Sequence, residues 1–505
     1  MRAEGRGPSA ARTRRGPRAV WINGLLTAAV AGVLALGAAP AHAVVGDPVA
    51  DGGYAFTAKL DIGDGKRGCS AALINPTHVV TAAGCFAADP ADPSTVTAGK
   101  PKEKAVITVG RTDLSGQAGG VAEVIEIKPR ADRDLVVARL AHPVFGITPV
   151  TLATAAPAPG DTLRVAGYGR TGTEWAPTRL HSTAVTVTGA TATTVGFAAK
   201  APSTGTICKG DTGGPLFREN GSTAVLAGVH SRAWAGGCFG STEARTDAVD
   251  ARADDIRQWI LDNSAVDQAL LGPGARLTAG QTLAGRDLRL TMQPGGDLTL
   301  THKNAPAGVI WATGTGGNAG AYLEMQPDGN LVLSTAGGQP IWHSATWGNP
   351  GGYLSLQDDG NLVVYKKDGG PLAGGSVWGS GSTRIGTTIG SGQPVWSGQW
   401  TESASSVLIM QRDGNVALYR KSDGAHQWST GTYASPFGYF VMQSDGNLVV
   451  YPAGQGGGVG AVWASGTFWS PGAFLKLQDD GNLVIYGKGG GEGVGGAIWA
   501  TGTHA

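Results

Sequence analysis

The chain is expected to be all-β and divided into about three domains. Its 83 glycines, its short strand-like segments bounded by turn residues and its scarcity of helical spacing carry this expectation. At 505 residues it exceeds what one hydrophobic core supports, and roughly 150 residues per domain gives about three. Formal net charge is +1 with 15% charged residues, so neither a nucleic acid nor an anionic membrane surface is expected as partner.

The leader comes first. Arg2, Arg6, Arg12, Arg14, Arg15 and Arg18 precede an apolar run over 25–36, which ends in Ala41, His42 and Ala43. That is the pattern of a signal peptide over residues 1–43, cleaved after Ala43. The run is too short and too weakly hydrophobic to cross a bilayer core of about 30 Å, so a secreted, extracellular protein without membrane insertion is expected. The pair Arg14-Arg15 leaves the export route open. Export permits disulfides. The four cysteines, Cys69, Cys85, Cys208 and Cys238, allow three pairings that spacing alone does not separate. None lies in a CxxC pair, and neither a metal nor another cofactor is expected.

Residues 44–263 form the first domain, with strand-like segments at 79–82, 134–140 and 225–229. A helix is expected over 250–263, where Ile256, Trp259 and Ile260 fall at i, i+3 and i+4 and give one apolar face. Three motifs stand out: Val44-Val45-Gly46-Asp47, Gly68-Cys69-Ser70-Ala71-Ala72-Leu73-Ile74 and Gly210-Asp211-Thr212-Gly213-Gly214-Pro215. In these the segment resembles the chymotrypsin/trypsin family of serine proteases (peptidase S1). The resemblance implies two packed antiparallel barrels with a site between them, closed by a C-terminal helix. It also implies the pairings Cys69–Cys85 and Cys208–Cys238.

The family's chemistry needs a hydroxyl nucleophile, an imidazole base and a buried carboxylate that orients the imidazole. Here the segment that resembles the base loop reads Thr81-Ala82-Ala83-Gly84-Cys85, so Gly84 stands at the base position. Thr212 stands at the nucleophile position, its β-methyl restricting χ1 and crowding attack. Asp134 matches the carboxylate. Loss of base or nucleophile costs about 10⁶ in turnover, and the losses are not additive. An oxyanion hole from the N–H groups of Gly210 and Thr212 is retained in this reading. His78, His142, His181 and His230 read as packed or surface histidines rather than relocated bases, and Thr212, being internal, has no amine of its own to use. Thr206 matches the floor of the specificity pocket and offers no carboxylate to an arginine or lysine substrate. The resemblance places the Val44 amine against Asp211, whose residue type also suits a turn. Without an imidazole, Asp134 is expected to lack a partner, so that water fills the space or its titration moves to higher pH.

Beyond about residue 265 a nine-residue pattern recurs, Gln-x-Asp-x-Asn-x-Val-x-Tyr. It is complete at 357–365 (Gln357, Asp359, Asn361, Val363, Tyr365), at 443–451 (Gln443, Asp445, Asn447, Val449, Tyr451) and at 478–486 (Gln478, Asp480, Asn482, Val484, Tyr486). Damaged copies lie at 293–301, 326–334 and 411–419. Each copy is followed by a tryptophan, Trp311, Trp342, Trp378, Trp428, Trp463 or Trp499, read as core packing. Spacing divides the six copies into domains at 265–384 and 388–505. This half resembles the bulb-type, or monocot, mannose-binding lectins, which implies two β-prisms of three four-stranded sheets. Read as one strand, the motif projects its five residues from a single face, with the valine set against a sugar's C–H face. Glycine-rich stretches at 454–460 and 487–496 lack a following Lys-Ser or Lys-Thr and read as hairpin loops, not phosphate loops.

These observations predict a secreted binder of mannose-containing glycans that carries a protease-like domain with a degenerate triad, its cleft free for a peptide or protein ligand. Two alternatives stand beside it: an active serine endopeptidase held on glycans by the repeats, and a lectin-like antibacterial protein. Several shallow sites on one chain imply avidity for branched or surface-displayed glycans.

Overall fold

The computed structural model describes residues 46–221, 223–266 and 268–504. The leader at 1–43 and the Val44 amine lie outside the described residues.

Strands of alternating burial wrap first into a closed six-stranded barrel. In pairing order these are Thr57–Ile62, Arg67–Asn75, His78–Thr81, Val136–Leu140, Gly120–Pro129 and Ala105–Val109. Ala58, Leu60, Leu73 and Ile107 are fully buried in its core. A second ring of six follows: Thr162–Gly167, His181–Ala190, Thr194–Ala199, Ala248–Arg252, Thr223–Ala233 and Pro215–Asn220, the last pairing back onto the first. Closure leaves neither ring a free edge of its own. Asp47–Pro48 and Thr151–Leu152 add short outer pairings to the second ring. Disulfides join Cys69 to Cys85 and Cys208 to Cys238, as the resemblance implies.

The expected helix over 250–263 is shorter. Only Arg257–Asn263 is helical, and Ala248–Arg252 is a strand whose hydrogen bonds to two neighbours close the second ring. Ring closure outweighs local propensity there. The apolar spacing still docks: Ile256 and Ile260 are buried and Trp259 packs against the first core. Among the described residues, no helix is long and apolar enough to cross a membrane.

The C-terminal half contains two sets of three four-stranded antiparallel sheets. Three short consecutive strands open each set and go to three different sheets. In the first set these are Gln268–Leu271, Arg276–Leu277 and Thr282–Ala284. In the second they are Thr388–Ile389, Pro394–Trp396 and Trp400–Glu402. Each set closes on a triangle of tryptophans. Ring centroids are 5.7 to 5.9 Å apart in Trp311, Trp342 and Trp378, and 5.6 to 5.9 Å apart in Trp428, Trp463 and Trp499, every pair edge to face. Such contacts hold the three sheets together about a common axis.

Candidate functional site

Gly84 sits in a buried 3₁₀ turn, Ala83–Cys85, fixed by the Cys69–Cys85 bridge. Its N–H donates to Asp134 Oδ1 at 2.7 Å, and Ser231 Oγ donates to Asp134 Oδ2 at 2.8 Å. Asp134 therefore keeps partners, contrary to the expectation that losing the imidazole would strip it of them. Its pKa stays raised, because burial outweighs the lowering by the Gly84 amide and the Ser231 hydroxyl, which agrees with the expected shift of its titration to higher pH. The contribution of Ser231 was not read from the sequence, although it adjoins His230. A cavity of about 280 Å³ opens beside this carboxylate, lined also by Ser94, Thr193, Ser231 and Arg232.

The loop carrying Thr212 is anchored on the first barrel: Ser70 N donates to Thr212 O at 2.8 Å and Ser70 Oγ to Gly210 O at 3.0 Å. Gly210 has φ +101°, and a Cβ there would lie 2.8 Å from Gly169 Cα, so only glycine fits. The N–H groups of Gly210 and Thr212 have no acceptor among the described residues, which is what an oxyanion hole requires. Asp211 is fully buried and accepts from Gly169 N and Cys208 N. Burial pushes its pKa up to about 6. Thr206 is buried too, its hydroxyl given to Thr246 O at 2.8 Å.

The four histidines are accounted for by packing. His78 is buried, bonded through Nδ1 to Thr77 and Asn75, and burial pushes its pKa down to about 4. His142 lies 3.9 Å from Asp368, and His181 is buried in the second ring. His230 is the one beside the Thr212 loop, its backbone paired with Gly213 and Gly214. Its side chain is wholly buried, with Nδ1 2.7 Å from Asp250 Oδ2, and it makes no hydrogen bond to Thr212. Adjacent strand residues face opposite sides, so Ser231 reaches Asp134 while His230 turns into the barrel.

Residues 43–260 match the trypsin family. This segment is a trypsin domain. No curated protein matches the chain. Within the trypsin domain, a Cβ added at Gly84 would meet the Pro90 carbonyl oxygen at 2.9 Å, with both Asp134 carboxylate oxygens at 3.6 Å. Asp134 is thus held by the Gly84 amide and the Ser231 hydroxyl, and a backbone oxygen lies close to where a side chain at residue 84 would begin.

The repeated motif is not one strand. Gln357 ends one strand and Gln443 and Gln478 directly follow one; in each complete copy Asp and Gly then form a turn, and the valine and tyrosine lie on the next strand. The intervening glycines, Gly360, Gly446 and Gly481, have φ between +90° and +93°, which a continuous strand does not contain. The turn is repeated bond for bond. Asn361, Asn447 and Asn482 N–H groups donate to Asp359, Asp445 and Asp480 Oδ1 at 2.9 Å. The asparagine Oδ1 atoms accept from Ser380, Ser465 and Thr501 at 3.1 Å. Gln357, Gln443 and Gln478 donate to the hydroxyls of Tyr365, Tyr451 and Tyr486 at 2.7, 3.0 and 2.8 Å. What remains for a ligand is the asparagine Nδ2, the glutamine Oε1, the tyrosine proton and the second aspartate oxygen, which His504 approaches to 3.4 Å at Asp480. Val363, Val449 and Val484 are only 2 to 4% exposed, so none is an open apolar platform. The tyrosines stack on Tyr353, Tyr439 and Phe474, aromatic residues four positions before each glutamine that the motif did not include.

Proposed function

We propose that the protein is a secreted binder of mannose-type glycans whose trypsin domain does not catalyse peptide hydrolysis. The observation that carries the second part is the engagement of Asp134 by Gly84 N–H and Ser231 with no imidazole bonded to the Thr212 hydroxyl. With no group to accept the proton, Thr212 is a poor nucleophile even if donors at Gly210 and its own N–H stabilise an oxyanion. The cavity beside Asp134 favours a peptide or protein ligand held there without cleavage. Glycan binding rests on the repeated set of free donors and acceptors and on the resemblance of the motif to bulb-type lectins. The two disulfides fit an oxidising, extracellular setting.

Two assays on the purified protein test the reading. Chromogenic peptides and casein at micromolar protein are expected to stay at the uncatalysed rate; cleavage that disappears on Asp134→Asn overturns the pseudoenzyme. Mannose-terminated glycans on a surface are expected to retain the protein and to release it to free methyl mannoside. Failure to bind any of them overturns the lectin.

A further inference from the structure

The strands that carry the motif copies differ in how their outer faces are buried. Tyr439–Met442 and Phe474–Leu477 alternate between half-buried and buried residues, as strands with one free face do. Tyr353–Gln357 does not: Tyr353 and Ser355, on its outer face, are both fully buried. Ser355 is paired with Leu270, and the cover over Tyr353 comes from the trypsin domain. Phe145 packs on Tyr353 with ring centroids 5.3 Å apart, and Tyr353 stacks in turn on Tyr365 of the motif at 5.6 Å. Phe145 and Leu270 close over the cluster of Tyr353, Val363 and Tyr365. Two glycines permit the approach: a Cβ at Gly272 would lie 2.6 Å from the Phe145 ring, and one at Gly370 would lie 3.0 Å from Ala141 O.

A second face is covered in the same way. Ser406–Met410 is buried at every position, and Gly308 of the first repeat domain lies on it so closely that a Cβ would come within 2.6 Å of Ile409 and 2.8 Å of the Tyr419 ring. Arg412 seals that contact by donating to Ala312 O at 2.6 Å.

We infer that only the copies at 443–451 and 478–486 receive glycan, and that the complete copy at 357–365 serves instead as the seat of the trypsin domain. This rests on the glycan-binding reading. Valine and tyrosine burial does not separate the three copies; the foreign aromatic side chain and the loss of alternation do.

Equilibrium dialysis against labelled methyl mannoside is expected to count two sites on the whole protein. Gln443→Ala and Gln478→Ala are each expected to remove one, and the double variant to remove both. A third site in the wild type, or one site surviving in the double variant, overturns the assignment. Maleimide labelling of folded Ser355→Cys and Lys476→Cys proteins reads the masking without any sugar. At least a tenfold slower reaction is expected at 355, and equal rates overturn the docking. If no mannoside binds at all, the lectin reading falls while the labelling still decides whether this face is covered.

Discussion

The Gly84 amide lies 2.7 Å from Oδ1 of Asp134, the carboxylate that would orient an imidazole in an active relative. Gly84, which we propose stands at the base position, thus holds this carboxylate through its backbone amide. Asp134→Asn puts an NH₂ group against one of two donors, Gly84 N–H or Ser231 Oγ, and strands it. Thermal or denaturant unfolding is expected to register a loss of about 1 to 3 kcal/mol, with peptide hydrolysis unchanged at background.

Restoring the base requires more than one side chain. Because a Cβ at Gly84 meets Pro90 O at 2.9 Å, Gly84→His is expected to cost about 1 to 3 kcal/mol in chemical denaturation. Thr212→Ser alone is expected to remain inactive, whereas the double variant gains about 10² to 10⁴ in peptide turnover from proton transfer. Equal activity in the native protein and the double variant contradicts the loss of function.

In the uncleaved chain, where residue 44 carries no free amine, Asp211 predicts a pH dependence of unusual sign. Its ordinary value of 3.8 rises to about 6 on burial, so between these values the unfolded chain releases a proton that the folded protein keeps. Stability therefore falls as pH rises from about 4 to 6, by roughly 3 kcal/mol in full, and levels off above. Urea unfolding across that range is expected to show this slope and to lose it in Asp211→Asn.

Glu402 predicts the opposite slope in the repeat half. It accepts an ion pair from Lys421 at 2.7 Å and from Arg384 at 3.0 Å, and it lies 3.4 Å from His302 of the preceding domain. The contact with His302 contributes most to lowering its pKa to about 2, with Lys421 acting in the same direction against burial. A depressed acid stabilises above its unfolded value of about 4.5 and loses that contribution as pH falls toward 2. Glu402→Gln is expected to unfold about 1 to 3 kcal/mol more easily at pH 7 and to match the native protein near pH 2.

The double ring and the disulfide pairs were legible through the resemblance that the motifs at 68–74 and 210–215 carry, and the all-β second half through its repeat in fixed register. The helix limits were not. Ala248-Val249-Asp250-Ala251-Arg252 reads as well in one period as the other, and partners distant in the chain decide it. The hairpin inside the motif had a local signal, Asp-Gly-Asn, which is turn chemistry that the alternation argument passed over. Covered faces leave a fainter trace: Ser355 is small where Val441 and Lys476 stand at less buried positions, but the aromatic that covers the neighbouring Tyr353 is Phe145, more than 200 residues away in the chain.

The three short strands that open each repeat domain have a bearing on synthesis. Gln268–Leu271 finds its partner only in Tyr353–Gln357, after two other hairpins have formed. Until that last hairpin leaves the ribosome or the export channel, the nascent domain carries open hydrogen-bonding edges and no sealed tryptophan triangle, and its ring closes late because its ends are its first and last strands. A chain stopped near residue 340 would thus emerge as an adhesive fragment rather than as a smaller version of the same domain.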